Sequence, residues 1–128
     1  MNLKFKDPIF RLREENLTVR RGTYWNTLNF PLDVNLVNSS ISTHYHKVGE
    51  ATVTRCVAMR LIDIPEAWLK KEHAPSCRTM KGLIRAMEEV YGEDFNAKEI
   101  VTLMFFTVTK IGAQFVEEER TRFTRAEG

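Results

Sequence analysis

The segment IVTLMFFTVTK, residues 100–110, is apolar at both parities and rich in Val, Thr and Phe. Successive side chains of a strand point to opposite faces, so a strand that is apolar throughout needs cover on both sides. β-Branched and aromatic residues also favour the pleated form over a helix. The chain is therefore expected to build a sheet with this strand in a central position and with other elements over both its faces.

The rest of the chain can be read for what it supplies to that sheet. Leu17 to Arg20 reads as a short strand closed by Gly22, where a turn costs little because glycine tolerates positive φ. FPLDVNLVNSS, residues 30–40, places Leu32, Val34 and Leu36 on one face and Asp33 and Asn35 on the other. SSISTHYHKVGE, residues 39–50, is polar, contains a glycine and reads as a hairpin loop. In ATVTRCVAMRLIDI, residues 51–64, Val53, Val57, Met59 and Leu61 share one parity while Thr54, Cys56, Ala58 and Arg60 share the other. Pro65 then opens a short helix in PEAWLKKEHA. In SCRTMKGLIRAMEEVYG, residues 76–92, Met80, Leu83, Ile84, Met87, Val90 and Tyr91 recur at the spacing of one helical face. Ser76 is its expected N-cap and Gly92 its stop.

The order strand, strand, strand, helix, helix, strand predicts an α+β fold: a small curved sheet or β-barrel with two helices between the later strands. At 128 residues the chain suits one domain, drawn here over residues 1–110, with residues 111–128 as a C-terminal extension. That extension has mixed charge and only Phe115, Val116 and Phe123 to anchor it.

Composition narrows the class. Hydrophobic residues make up 43% and charged residues 28%, which excludes a disordered chain. No apolar run approaches the roughly 18 residues of a membrane span, and MNLKFKDPIF lacks the apolar stretch of a signal peptide. A cytoplasmic protein without membrane association is the expectation. Cys56 sits in an apolar run and Cys77 at a helix start, so two free thiols are expected rather than a disulfide framework.

The net charge is only +2, but it is unevenly spread. Residues 1–25 carry Lys4, Lys6, Arg11, Arg13, Arg20 and Arg21 against Asp7, Glu14 and Glu15. A local basic excess of this kind is what an anionic ligand would feel. On a strand, Thr18 and Arg20 point to one side and Val19 and Arg21 to the other. The planar fork of arginine suits phosphate or a base edge, and Tyr24 and Trp25 could stack on a base. The same residues also fit a solvated strand with Trp25 in the core.

Two other constellations stand out. His44 and His46 form an H-x-H pair, a common start for a metal site, but no glutamate lies near at ligand spacing, and further ligands would have to come from His73 or Cys77. A polar loop is the better reading, and no metal or cofactor is expected. Glu72 beside His73, between the helices, could act as a general acid/base couple or serve as polar residues at a helix end. No glycine-rich phosphate loop, nucleophile elbow or Cys-x-x-Cys pair appears in the sequence.

Taken together these segments resemble the ASCH family, small β-barrel domains related to the PUA fold of RNA-modifying enzymes. The family signature G-x-K-x-x-x-x-R aligns with REENLTVR, Arg13 to Arg20, followed by the common R-G-x-[YW] continuation in RGTYW. LIDIPEAWLKKEH is similar to the segment entering the family's helices, and LIRAMEEVYGEDFNAKEIVTLMFF to its closing helix and apolar strand. The likeness runs over about residues 8–108.

Some bacterial members are amidohydrolases that remove the acetyl group from the exocyclic amine of acetylated cytidine, using a lysine and a threonine of the signature and a glutamate near the helices. The resemblance then implies Thr18 for the threonine, Arg20 for the signature arginine and Glu72 for the glutamate. The lysine position holds Glu15 and the glycine position Arg13. A carboxylate has the opposite electrostatic sign to a lysine, and although Arg13 could bring positive charge, a guanidinium is no base at neutral pH.

The expectation is therefore a nucleotide- or RNA-binding module, with Arg13, Arg20, Arg21, Tyr24 and Trp25 as ligand-binding residues. A nucleoside amidohydrolase using Thr18 and Glu72 is the alternative from the enzyme class. A third reading is an interaction protein whose charged segment Glu117 to Arg125 contacts a protein partner.

Overall fold

The computed structural model describes residues 1–40 and 46–118. Strands β1 (Asn2–Phe5), β2 (Glu15–Arg21), β3 (Leu32–Asn38) and β4 (His46–Arg60) come first, then helices α1 (Glu66–Leu69) and α2 (Met80–Tyr91), and last strand β5 (Ile100–Ile111). The strands form one mixed sheet in the order β1-β3-β4-β5-β2, with β1 parallel to β3 and the remaining pairs antiparallel. The architecture is α+β: a curved half-barrel sheet with two helices.

Strand β5 lies between β4 and β2, as its apolar parities require. Val101, Leu103 and Phe105 face a core that β2 and the helices complete with Leu17, Val19, Leu69, Leu83 and Met87. Met104, Phe106 and Val108 face the opposite core, with Leu3, Phe5, Phe10, Val34 and Leu36. Fully burying each such side chain stabilises the fold by about 1.5–3 kcal/mol, so β5 anchors both layers.

The curl brings the two edge strands together. Arg20 Nη2 on β2 donates to the Lys4 carbonyl on β1 at 2.7 Å. The outer edge of β2 is covered by the chain after α1. There Leu17 N–H donates to Lys71 O at 2.8 Å and His73 N–H donates to Leu17 O at 2.9 Å. Each edge thus has a partner at one residue, which shortens the exposed ladder that invites aggregation.

Four details differ from the expectations. Strand β1 was not among the predicted strands; its alternation is only four residues long, with Leu3 and Phe5 buried and Asn2 and Lys4 exposed. In β4 the register shifts between Val53 and Arg55, so Val53 and Cys56 share one core while Val57 and Met59 pack on the other. A single parity for Val53, Val57 and Met59 is therefore wrong. A bulge inserts one residue and flips the faces beyond it. The inserted Thr54 turns its hydroxyl to the Phe105 carbonyl at 3.2 Å.

The N-cap of α2 is Thr79, which accepts from Gly82 N at 3.1 Å, and not Ser76. Residues Pro75–Cys77 form a separate 3-10 turn. Gly92 ends the helix at φ 92°, as expected. Finally, the predicted hairpin loop is shorter at its far end, because His46 to Glu50 already belong to β4.

Beyond β5, Ala113–Phe115 form a 3-10 turn that runs beside Phe10. Phe10 N–H donates to Phe115 O at 2.8 Å and Glu117 N–H donates to Phe10 O at 2.9 Å. Arg78 clamps the Glu117 carboxylate with two bonds of 2.9 and 3.1 Å. Residues 119–125 of the charged segment lie outside the described residues.

Candidate functional site

Alternation along β2 sends Leu17 and Val19 into the helix-covered core and leaves Thr18 and Arg20 on the other side. The two backbone bonds at Leu17 lay residues 71–73 along the same strand, with Leu17 and Glu72 bridged in parallel. Side chains far apart in sequence are thereby fixed to one place by main-chain geometry. There Thr18, Arg20, Glu72 and His73 line a cavity of about 410 Å³, within the size range of small-ligand sites. Helix α2 supplies an apolar wall through Leu83, Ala86, Met87 and Val90, while Lys4, Lys6 and Tyr91 also border the space. Val90, expected to be buried on the helical face, is 50% exposed because it stands at this opening.

Glu72 is 2% exposed and His73 8%. The imidazole is stacked on Phe10 at 5.3 Å and meets Phe5 edge-on at 4.7 Å. Its Nδ1 lies 3.1 Å from the Ile9 carbonyl. A carbonyl only accepts, so Nδ1 carries the proton and neutral Nε2 is left with a lone pair. That lone pair faces Glu72 Oε1 at 3.3 Å.

Burial pushes the Glu72 carboxyl up to about 8, against the opposing pull of Ala74 N–H, Arg20, Arg78 and Arg11. Burial likewise pushes His73 down to about 4, with the Ile9 carbonyl and Asp7 opposing and Arg20 and Arg78 reinforcing. The two directions agree with one arrangement: a neutral carboxylic acid whose proton is directed at a neutral imidazole. The contact is thus a hydrogen bond between uncharged groups at neutral pH and not an ion pair.

Two buried atoms at the site lack partners within the described protein: Glu72 Oε2 and Arg20 Nε. Arg20 is half-buried, lies 4.8 Å over the Phe5 ring and is pulled down by burial, with Tyr91 and Glu72 raising it; a guanidinium stays charged at neutral pH regardless. Thr18 is 4% exposed. The cavity therefore offers a hydroxyl, an uncharged carboxyl and a fixed cation against an apolar wall.

The other expected ligand-binding residues lie elsewhere. Arg21 forms a two-bond pair with Glu99 at 2.8 and 3.1 Å and sits 5.5 Å over Tyr91, on the opposite side of β2. Tyr24 and Trp25 begin a 3-10 turn, touch each other at 5.8 Å and do not line the cavity. Arg13 is exposed at the turn before β2, where its N–H donates to Val108 O at 3.1 Å. Glu15 pairs with Lys71 at 2.6 Å, away from the cavity.

His46 is exposed at the start of β4, and His44 lies outside the described residues. No group of three His, Cys, Asp or Glu side chains is gathered for a metal ion among the described residues. Cys56 and Cys77 are free thiols, and Cys77 borders the cavity.

Sequence reasoning missed two contributors. Asn16, fully buried, exchanges bonds with Arg11 N, Arg11 O and Glu14 O and so fixes the turn that delivers β2. Nothing in its local pattern announces that. Lys4 and Phe5 of β1 and the following Lys6 also border the cavity, and the alternation of Leu3 and Phe5 was the available signal.

No family model matches the sequence, and no curated protein matches it. Among solved structures the chain is similar to the crystal structure of protein EF3133 from Enterococcus faecalis V583, described with the family model DUF984. The likeness has a TM-score of 0.52 at 10% identity, over 76% of this chain and 65% of that one. The chain thus spans a little less than two thirds of that protein's length, and the likeness concerns the curved-sheet fold.

Proposed function

We propose that the protein is an ASCH-like module that binds a nucleotide or RNA, with the ligand seated between Thr18, Arg20 and Glu72. One observation carries the proposal: these residues converge on a single cavity, and two of them, Glu72 and Arg20, each carry a protein-covered polar atom without a partner, Oε2 and Nε. An unsatisfied buried polar group costs about 1–3 kcal/mol, so a ligand that pairs with both recovers stability on binding. The half-barrel shape fits the ASCH-like reading. So does Arg13, aligned with the signature glycine, whose φ of 63° lies in the left-handed region that glycine favours. Of the aromatic side chains considered for stacking on a base, Tyr24 and Trp25 do not border the cavity, whereas Tyr91 does.

A thermal-shift panel of nucleosides, nucleotides and short RNAs tests this. A binder at about 100 times its dissociation constant stabilises by roughly 2.7 kcal/mol. Arg20→Ala should lose the shift while Lys98→Ala keeps it; equal effects would sink the proposal.

The shared cavity of Thr18 and Glu72 also favours a second reading, the nucleoside amidohydrolase. The Thr18 hydroxyl would attack the acyl carbon and pass its proton through Glu72 to the leaving amine, and water would then hydrolyse the acyl–threonine ester, releasing the acid and restoring the hydroxyl. Against it, Glu15 is engaged by Lys71 away from the cavity, so the position aligned with the signature lysine supplies no cation there. Incubation with acetylated cytidine decides: absence of cytidine release by folded protein at high concentration removes the enzyme. An interaction role for the charged C-terminal segment would show as a partner lost in a pull-down when residues 119–128 are deleted.

A further inference from the structure

We infer that His73 is a positioning residue that makes Glu72 a one-way hydrogen-bond reader, so that the cavity selects ligands presenting an N–H donor to Glu72 Oε2. The inference rests on the reading that the cavity holds a nucleoside-type ligand. Nδ1 of His73 is committed to the Ile9 carbonyl at 3.1 Å, and the ring is held between Phe10 and Phe5, so it cannot turn to exchange its nitrogens. Nε2 therefore faces Glu72 Oε1 at 3.3 Å as a lone pair.

The carboxyl proton has two places to go. On Oε1 it completes the bond to Nε2. On Oε2 it would leave two lone pairs opposed across 3.3 Å in a buried, apolar setting. The proton belongs on Oε1, and moving it across to Nε2 changes nothing on the far side. In both arrangements Oε2, which is covered and without a protein partner and so is reached only when a ligand displaces the side chains over it, can only accept. A ring nitrogen lone pair cannot satisfy it, whereas an exocyclic amine can. Arg20 Nε, a donor without a partner, supplies the complementary role and suits an acceptor on the same ligand.

The test uses two ligand pairs that differ only in the amine: adenosine against purine riboside, and cytidine against 2-pyrimidinone riboside. Affinities are measured by calorimetry on the full chain. In the wild-type protein, loss of the amine should weaken binding about tenfold or more, the cost of leaving one buried acceptor unpaired. His73→Leu removes the lone pair, lets the proton of Glu72 turn to Oε2 and face the ring nitrogen, and should bring each pair to within about threefold. His73→Gln, which restores an acceptor near the Nε2 position, should recover the discrimination. Merely structural damage would weaken both members of a pair alike and leave their ratio unchanged.

Wild-type binding without discrimination, or discrimination that survives His73→Leu, overturns the inference while leaving the binding site in place. Absence of binding by all four nucleosides overturns the nucleoside reading and the inference with it. Should His73→Leu fail to fold, the wild-type ratios and His73→Gln decide alone.

Discussion

Glu72→Gln should flatten a pH dependence that the wild-type protein shows between pH 6.5 and 8. The folded-state carboxyl is raised from 4.5 to about 8, and the His73 imidazole is lowered from 6.5 to about 4. A raised carboxyl stabilises fully below its unfolded value, and that contribution is lost as pH climbs to the folded value. A lowered imidazole stabilises above its unfolded value and loses this as pH falls to the folded one. Between 4.5 and 6.5 the two slopes oppose and cancel. Between 6.5 and 8 the histidine is neutral in both states and only Glu72 titrates differently, over about 1.5 pH units. At roughly 1.36 kcal/mol per unit the wild-type protein loses about 2 kcal/mol across that window. The glutamine variant loses none of it. Urea unfolding at half-unit steps, with the m-value checked for constancy, gives the two curves. Parallel curves for wild type and variant between pH 6.5 and 8 would refute the account of a buried neutral acid.

Three further substitutions probe how the site is held. Arg20→Ala removes the bond to the Lys4 carbonyl and the cover over Phe5, and should destabilise by about 1.5–3 kcal/mol in chemical denaturation; a neutral outcome would mean the edges of the sheet do not depend on it. Arg13→Gly should be neutral or stabilising by up to about 1 kcal/mol, whereas Arg13→Val should cost about 1–2 kcal/mol, because the left-handed conformation strains any residue with a Cβ and a β-branched one most. Equal losses for the two would show that the backbone there is not constrained. Gly82→Ala should lower the melting temperature despite the better helix propensity of alanine, because a Cβ would strike the Ser76 carbonyl oxygen; a stabilised variant would contradict that close approach of helix and turn.

The features legible in the sequence were those that obey a simple periodicity. The double-sided apolarity of residues 100–110 gave the interior strand, and the helical spacing of Leu83 and Met87 gave the wall of α2. Alternation alone was enough to pair Thr18 with Arg20 on one side of β2. What stayed hidden depends on contacts between distant segments. The bulge at Thr54 leaves no mark in composition, yet it exchanges the faces of Val57 and Met59. Tyr24 and Trp25 stand close to Arg20 in sequence, but the turn at Gly22, φ 79°, carries them away from the cavity, which takes Tyr91 from α2 instead. The charge of Glu72 was equally unreadable, because it depends on burial beside His73 and on the bond to Ile9 that fixes the ring.

The binding account is tested most directly by mapping where a ligand touches the protein. Amide chemical shifts are recorded while cytidine, adenosine and their 5′-monophosphates are titrated into uniformly labelled protein. The account predicts saturable changes clustered at Lys4 to Asp7, Thr18 to Arg20, Ser39, Glu72 to Cys77 and Leu83 to Tyr91, the parts of the chain that border the cavity. Saturable changes confined to Arg13, Tyr24 and Trp25, or no change with any of the four compounds, would contradict it.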